Sequence, residues 1–278
     1  MIPDAEGIRF LQWCLPRLGL RWPGFRKVRR QVFKRINQRM QELELFNVAD
    51  YWHYVEAHPQ ELLVLDTLCW IGISRFYRDR GTYEDLQKSV LPQLAQMLVA
   101  RGDEQISCWS AGCAGGEEPY TLVILWNEIL KPKFPTLALR IVATDVDPLA
   151  IQRAERGCYR ASSAKELPAA WRERAFTQVA DGLCLKDEYR SPITFIVQDI
   201  RKKLPDGPFH LILCRNLVFT YFDEAMQRKT MQRITAELAP GGVLVLGKLE
   251  SLPEGHGALM PWFPSLGVYR KIPNKGYP

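Results

Sequence analysis

The chain is poor in the side chain that most often binds metals or shuttles protons at neutral pH. It has four histidines in 278 residues, His53, His58, His210 and His256. None is spaced as H-E-x-x-H or a similar ligand pair, so no metal site is expected. Cysteine is present but unpatterned: the seven, Cys14, Cys69, Cys108, Cys113, Cys158, Cys184 and Cys214, are odd in number and form no C-x-x-C pair. That predicts reduced thiols in a cytoplasmic core rather than a disulfide framework. No apolar run approaches the roughly 18–20 residues of a membrane span. Met1 to Phe10 holds Asp4 and Glu6 and has no basic stretch leading into an apolar one, so no secretory signal is expected. Repeats and low-complexity tracts are also missing. What remains is an ordinary globular composition, 47% hydrophobic and 24% charged.

Charge is present but unevenly placed. The formal net charge is +6, yet residues 1–40 hold ten Lys and Arg against Asp4 and Glu6, so the rest is slightly acidic. A basic front end implies an acidic partner. Within it, Val28, Val32, Phe33, Ile36, Met40 and Leu43 recur at helical spacing over about 26–46, with Arg26, Arg29, Arg30, Lys34 and Arg35 largely on other faces. No aromatics interleave these cations as in a single-strand nucleic-acid platform, so nucleic acid is not the expected partner. Further helices are predicted around 48–57 and 60–70, and over 83–100 with an interruption near Pro92. The expected organisation is a basic helical domain over 1–80, a linker helix over 81–102 and a second domain over 103–278.

From Gly102 onward short apolar runs alternate with helical patterns. Strands are predicted at Ile106–Ser110, Leu139–Thr144, Ile193–Val197, Phe209–Cys214, Val243–Gly247 and near Val268–Arg270. Helices are predicted at about 117–130, 147–156 and 224–238. Alternation of this kind, with near-continuous apolar strands, predicts an α/β fold with a doubly wound, mostly parallel sheet. Residues 162–192 break the alternation and read as an insertion or lid.

Three strand ends carry the chemistry. The first runs Ser110-Ala111-Gly112-Cys113-Ala114-Gly115-Gly116-Glu117-Glu118-Pro119. Small residues permit a sharp turn and a close ligand approach, but the spacing is not G-x-G-x-x-G. Two glutamates here would repel a pyrophosphate and suit a cation such as the sulfonium of S-adenosylmethionine. The plain alternative is a glycine turn with acids at a helix start. The second end is Ala143-Thr144-Asp145-Val146-Asp147, where Asp145 can accept both hydroxyls of a ribose and Asp147 caps the next helix before Pro148. The third is Cys214-Arg215-Asn216, followed by Tyr221-Phe222-Asp223, with Asp223 as a cap.

Taken in order, these pieces resemble the CheR-type methyltransferases, which methylate glutamates of bacterial chemoreceptors. The resemblance runs through Phe76-Tyr77-Arg78-Asp79, the Ser-Ala-Gly-Cys stretch with Gly-Glu-Glu-Pro-Tyr, Ala-Thr-Asp-Val-Asp, Arg156-Gly157-Cys158-Tyr159, Cys214-Arg215-Asn216, Tyr221-Phe222 and Pro240-Gly241-Gly242. It implies a Rossmann-like class I methyltransferase domain behind a helical one, with S-adenosylmethionine as donor and S-adenosylhomocysteine as product. It implies Arg78 and Tyr221 as active-site residues. Ser74, Arg78, Gly112, Glu118, Asp145, Asp199, Ile200, Arg215 and Asn216 are implied at the donor: Glu118 at its cationic end, Asp145 at the ribose, Asp199 and Ile200 at the adenine. Ser74 alone keeps a hydroxyl where the family usually has Thr and Asn. The basic helix over 26–46 resembles the family's surface for an acidic receptor. A small-molecule acceptor, a non-chemotaxis protein acceptor and a non-catalytic donor-binding scaffold stay open as alternatives.

Overall fold

The computed structural model describes residues 2–255 and 257–272; Met1, His256 and residues 273–278 lie outside that description. The chain divides into two compact units, residues 1–71 with 218–228, and residues 72–217 with 229–278.

The first unit is helical. Its main helices are Asp4–Cys14, Arg29–Glu42, Val48–Ala57 and Glu61–Leu68. Each buries one apolar face: Phe10, Leu11 and Cys14; Val32, Phe33, Ile36 and Met40; Val48, Tyr51 and Val55; Leu65. Asn47 caps the third helix by accepting from the Asp50 N–H at 2.9 Å. Glu61 is buried and survives there because Arg39 grips both its oxygens at 2.8 and 2.9 Å and Tyr51 donates at 3.0 Å. The basic helix is shorter than its expected 26–46 span, and its cations divide in two. Arg29 pairs with Asp4, Arg35 donates to the carbonyls of Leu68 and Trp70, and Arg39 holds Glu61. Arg26, Lys27, Arg30 and Lys34 remain exposed.

The second unit is built on a seven-stranded sheet. In chain order its strands are β1 (Gln105–Ala111), β2 (Ala138–Asp145), β6 (Ile193–Val197), β7 (Phe209–Cys214), β8 (Leu238–Leu246), β9 (Leu259–Phe263) and β10 (Val268–Lys271). The spatial order is β6-β2-β1-β7-β8-β10-β9. The first five run parallel and β10 runs antiparallel to both its neighbours. Strand order therefore reverses between β1 and β7, and in a sheet of this kind the crevice at that switch point, beyond the strands' carboxyl ends, takes the ligand. The central strands are continuous apolar runs because both faces are covered: Ile106, Cys108, Leu211, Leu213, Val243 and Val245 belong to one core cluster on one face, and Trp109, Ile212 and Leu244 are buried on the other.

Residues 81–102, expected as a linker, run as helix Arg80–Asp85, a wider-wound turn Leu86–Val90 and helix Leu91–Ala100. Leu86, Val90, Leu91, Leu94, Ala95 and Leu98 pack into the core cluster of the sheet. The interruption expected near Pro92 is the wider-wound turn Leu86–Val90 directly before it, which accommodates a proline that has no N–H to give the preceding turn, and helix continues beyond it.

Residues 162–192 contain helix Ala169–Ala175, β4 (Phe176–Val179) and β5 (Gly182–Leu185). With β3 (Cys158–Tyr159) they form a separate antiparallel sheet of order β3-β5-β4. This corrects the expectation that all seven cysteines are free thiols. Cys158 and Cys184 lie directly opposite each other on β3 and β5 and are joined as a disulfide. Cys14, Cys69, Cys108, Cys113 and Cys214 are free and buried. No helix among the described residues is long and apolar enough to cross a membrane.

Candidate active site

β1 ends in the glycine turn. Gly112 has φ +73°, a conformation that favours glycine, and a Cβ there would also lie 2.7 Å from a terminal methyl of Leu217, which would have to shift. The turn is tied to the next strand end. The Gly112 N–H donates to the Thr144 carbonyl at 2.8 Å, and the Ala114 N–H donates to Asp145 Oδ2 at 2.8 Å. Asp145 Oδ1 takes the Asp147 N–H at 3.0 Å. The Val146 N–H also bonds this carboxylate, so three backbone donors fix its orientation. Burial pushes this carboxyl above its ordinary pKa. Asp147 caps the Pro148–Arg156 helix, as its position before Pro148 predicts.

Glu118 stands in the first turn of the Glu117–Leu125 helix. Its Oε1 accepts from the Ser110 hydroxyl at 2.8 Å and its Oε2 from Arg215 Nη1 at 3.1 Å. Burial raises its pKa, and the Arg215 charge opposes that rise. Its neighbour Glu117 is raised by burial as well, and the Ser74 side chain bonds its carboxylate.

Arg215, at the end of β7, organises this corner. Its side chain is only 2% exposed. Nη1 reaches the Tyr83 hydroxyl at 3.2 Å as well as Glu118, and Nη2 reaches the Arg78 carbonyl at 3.1 Å and Asp79 Oδ2 at 2.9 Å. The guanidinium also lies 5.1 Å from the centroid of the Tyr83 ring, a cation–π contact. One buried cation therefore joins the helix carrying Glu118 to the 78–79 segment. Arg78 itself is half-buried and donates from Nη1 to the Ile73 carbonyl at 2.7 Å. Its other donors have no partner among the described residues.

Asn216 follows with φ +54°. Its N–H donates at 2.7 Å to Glu250 Oε2, which also takes the Gly247 N–H at 2.7 Å. One carboxylate oxygen thus ties the ends of β7 and β8. At the end of β6, the Gln198 N–H donates to the Asp145 carbonyl at 2.8 Å, which ties the Asp199-Ile200 pair to the neighbouring strand end. Asp199 is gripped by Arg201, whose Nε and Nη2 donate at 3.0 Å and whose backbone N–H donates at 2.9 Å. Ile200 is buried. The second unit thus links Glu118, Arg215, Asp79 and the Arg78 carbonyl in one network, Gly112 with Asp145 and the strand end before Asp199 in another, and leaves Ser74 on Glu117, apart from both.

Tyr221 belongs to the first unit. It closes the short helix Val218–Tyr221, and its ring meets Phe25 edge-on at a centroid distance of 5.0 Å. The Arg21 N–H donates to the Tyr221 carbonyl at 2.8 Å, and the Arg21 guanidinium donates to the carbonyls of Phe219 and of Thr220, the latter at 3.1 Å. Sequence reasoning did not single out Arg21, Asp79, Tyr83, Ser110 or Glu250. Asp79 and Ser110 carried a signal, as the fourth residue of Phe76-Tyr77-Arg78-Asp79 and the first of the Ser110–Pro119 stretch; Arg21, Tyr83 and Glu250 carried none, because their contacts are distant along the chain.

Comparison with known proteins shows the family. The family described as "CheR methyltransferase, SAM binding domain" matches residues 73–263. "Chemotaxis protein methyltransferase 2" of Vibrio cholerae serotype O1 is 30% identical over 91% of this chain and 87% of its own length. "Chemotaxis protein methyltransferase" of Listeria innocua is 30% identical over 92% of this chain and 95% of its own. "Probable biofilm formation methyltransferase WspC" of Pseudomonas aeruginosa is 26% identical over 86% of this chain and 56% of its own. With the doubly wound sheet and the switch-point residues in place, the chain belongs to the CheR methyltransferase family and is an S-adenosylmethionine-dependent methyltransferase.

Proposed function

We propose that the chain transfers a methyl group to a glutamate carboxylate of an acidic cytoplasmic protein, a chemoreceptor being the family's example. The observation that carries this reading is the Arg215 network, which fixes the Arg78 segment to the helix start bearing Glu118. The residues present fit the donor. Glu118 is a buried carboxylate suited to the cationic methionine end, Asp145 is a carboxylate that backbone N–H groups hold in orientation for a ribose, and the Gly112 turn leaves the backbone bare. Ser74, Asp199, Ile200 and Asn216 complete the donor side in this proposal. Asp199 acts as an acceptor whose orientation Arg201 fixes. Arg215 acts through Glu118 and Asp79, as a positioning residue.

When bound, S-adenosylmethionine supplies a methyl group activated on a sulfonium. A glutamate has an ordinary pKa of about 4.3 and is already an anionic nucleophile at neutral pH, so the chain need not supply a base. Its task is orientation. Arg78 has guanidinium donors to spare for a carboxylate, and Tyr221 is assigned to holding the reacting groups in line. The exposed Arg26, Lys27, Arg30 and Lys34 are assigned to the approach of the acidic protein.

The likeness to WspC favours a second reading, the same carboxyl chemistry on a non-chemotaxis protein. The test is incubation with methyl-labelled S-adenosylmethionine and an extract of the host. Alkali-labile label on protein, released as methanol, supports carboxyl methylation, and the identity of the labelled protein separates the two readings. Label on small molecules alone, or alkali-stable label on protein, rejects both.

A further inference from the structure

We propose that Cys158 and Cys184 form a thiol–disulfide exchange site that reacts with anionic low-molecular-weight disulfides and thiols of the glutathione class. Three observations carry it. The first is access. Cys158 is exposed and Cys184 half-buried, whereas the other five cysteines are all buried. A disulfide-bearing reagent therefore meets only this pair in the folded chain.

The second is geometry. The Gly157 carbonyl accepts the Leu185 N–H at 2.9 Å, so residues 157 and 185 are a hydrogen-bonded pair and residues 158 and 184 the adjacent non-hydrogen-bonded one. Side chains approach most closely at such positions. The Cα atoms of Cys158 and Cys184 are 4.0 Å apart. Each cysteine also has a cation two residues on, Arg160 and Lys186, both exposed. Arg160 directly follows the end of β3 and Lys186 the end of β5, and nearby cations favour a thiolate and attract an anionic reagent.

The third is position. The residue after Cys158 is Tyr159, whose hydroxyl donates to the Gly115 carbonyl at 2.6 Å inside the glycine turn. Its ring meets Phe76 edge-on at 4.9 Å, and Phe176 of β4 meets the other side of that contact, the Phe76 ring, at 5.3 Å. Covalent closure of β3 on β5 holds Tyr159 against the turn from which Asp145 takes an N–H. The effect on the donor rests on the functional reading above; the exchange chemistry does not.

The step is balanced. One cysteine thiolate attacks the small disulfide RSSR, forming a protein–SR mixed disulfide and releasing RS⁻. The second thiolate attacks the protein sulfur of that mixed disulfide, forming the Cys158–Cys184 bond and releasing a second RS⁻. The two protein thiols lose two electrons and two protons, and RSSR becomes two RSH. Two RSH reverse it.

The test equilibrates the folded full chain in glutathione buffers from fully reduced to fully oxidised, then alkylates it and counts adducts by mass spectrometry. Two alkylated thiols, at Cys158 and Cys184, are expected at the reduced end and none at the oxidised end. Cys184→Ser should take up one glutathione on Cys158. A pair that stays closed in the reduced buffer, or stays open in the oxidised one, overturns the proposal. The Cys158→Ser/Cys184→Ser variant controls for folding, since its melting must match the reduced chain's. The second measurement is S-adenosylhomocysteine affinity in the two states. Oxidation should tighten it at least threefold in the parent and leave the double variant unchanged. Equal affinities overturn the Tyr159 coupling, whereas no binding in either state overturns the donor reading and leaves the alkylation result to decide the exchange site.

Discussion

Replacing Arg215 by methionine tests the central claim about the site. Methionine retains most of the stem's volume, so the change deletes charge and donors rather than opening a large cavity. The arginine is 2% exposed and is bonded to Glu118, 14% exposed, and Asp79, 29% exposed. Removing one partner of a buried ion pair costs about 3–5 kcal/mol. Asp79 can recover part of its share from water, so the lower end, about 3 kcal/mol, is expected. With a urea m-value of about 2–3 kcal/mol/M, the unfolding midpoint should fall by about 1–1.5 M. Buried Trp109 and Trp126 report the transition by fluorescence. The cost should also depend on pH. Burial already raises the Glu118 pKa, and Arg215 opposes that rise. Without the arginine the pKa climbs further, so the penalty should be larger at pH 8 than at pH 5, because lowering the pH favours the protonated Glu118. Arg215→Met/Glu118→Gln should recover at least about 1.5 kcal/mol of the loss, as coupled neighbours do. A midpoint shift under about 0.3 M, equal at both pH values, would refute the reasoning.

Other perturbations separate the remaining roles. Arg78→Ala should abolish turnover while leaving S-adenosylhomocysteine affinity within about threefold, a loss of under ~0.7 kcal/mol; weakened donor binding with normal turnover at saturation would reverse its assignment. Asp145→Ala should do the opposite, raising the donor Kd by about 10-fold or more, ~1.4 kcal/mol, in calorimetry. Glu250→Ala frees the N–H groups of Asn216 and Gly247, and should raise the donor KM more than it lowers kcat. Glu250→Gln, with an acceptor oxygen in the same place, should restore most of the difference. Glu117, Glu118 and Asp145 all have pKa values raised by burial. Their contribution to stability is complete below the ordinary carboxylate pKa and is lost as pH rises through the raised values. Unfolding of the donor-free chain should therefore show stability falling above pH ~4.5, and Glu117→Gln should flatten that fall.

What could be read in advance follows from how local each signal was. Ile106–Ser110 and Phe209–Cys214 were legible because strands buried on both faces are unbroken apolar runs. Gly112, Glu118 and Asp145 were legible because a strand end followed by a helix start is a local pattern. β9 was not, since Pro261 argues against a strand, and β9 pairs on one side only, with β10, where proline is tolerated. β3, β4 and β5 have two to four residues each, too few for alternation to register. The partnership of Arg215 with Tyr83 spans 132 residues, and nothing in either neighbourhood announces it. The Cys158–Cys184 pairing, 26 residues apart, failed for the same reason.

The split in the first unit bears on how such proteins can be recombined. Residues 218–228 sit with the helices of residues 1–71, although they lie between two sheet strands in the chain. Leu20 bridges Phe222, and the Gly19 carbonyl accepts the Asp223 N–H at 2.9 Å. A Cβ on Gly24 would lie 2.3 Å from the Thr220 carbonyl oxygen, so the packing leaves no latitude there. A chimera cut after residue 71 would pair one protein's helices with another's Val218–Tyr221 turn, and would mismatch the surface that holds Tyr221. The exchangeable cassette is discontinuous: a graft that carries 1–71 should carry 218–228 with it.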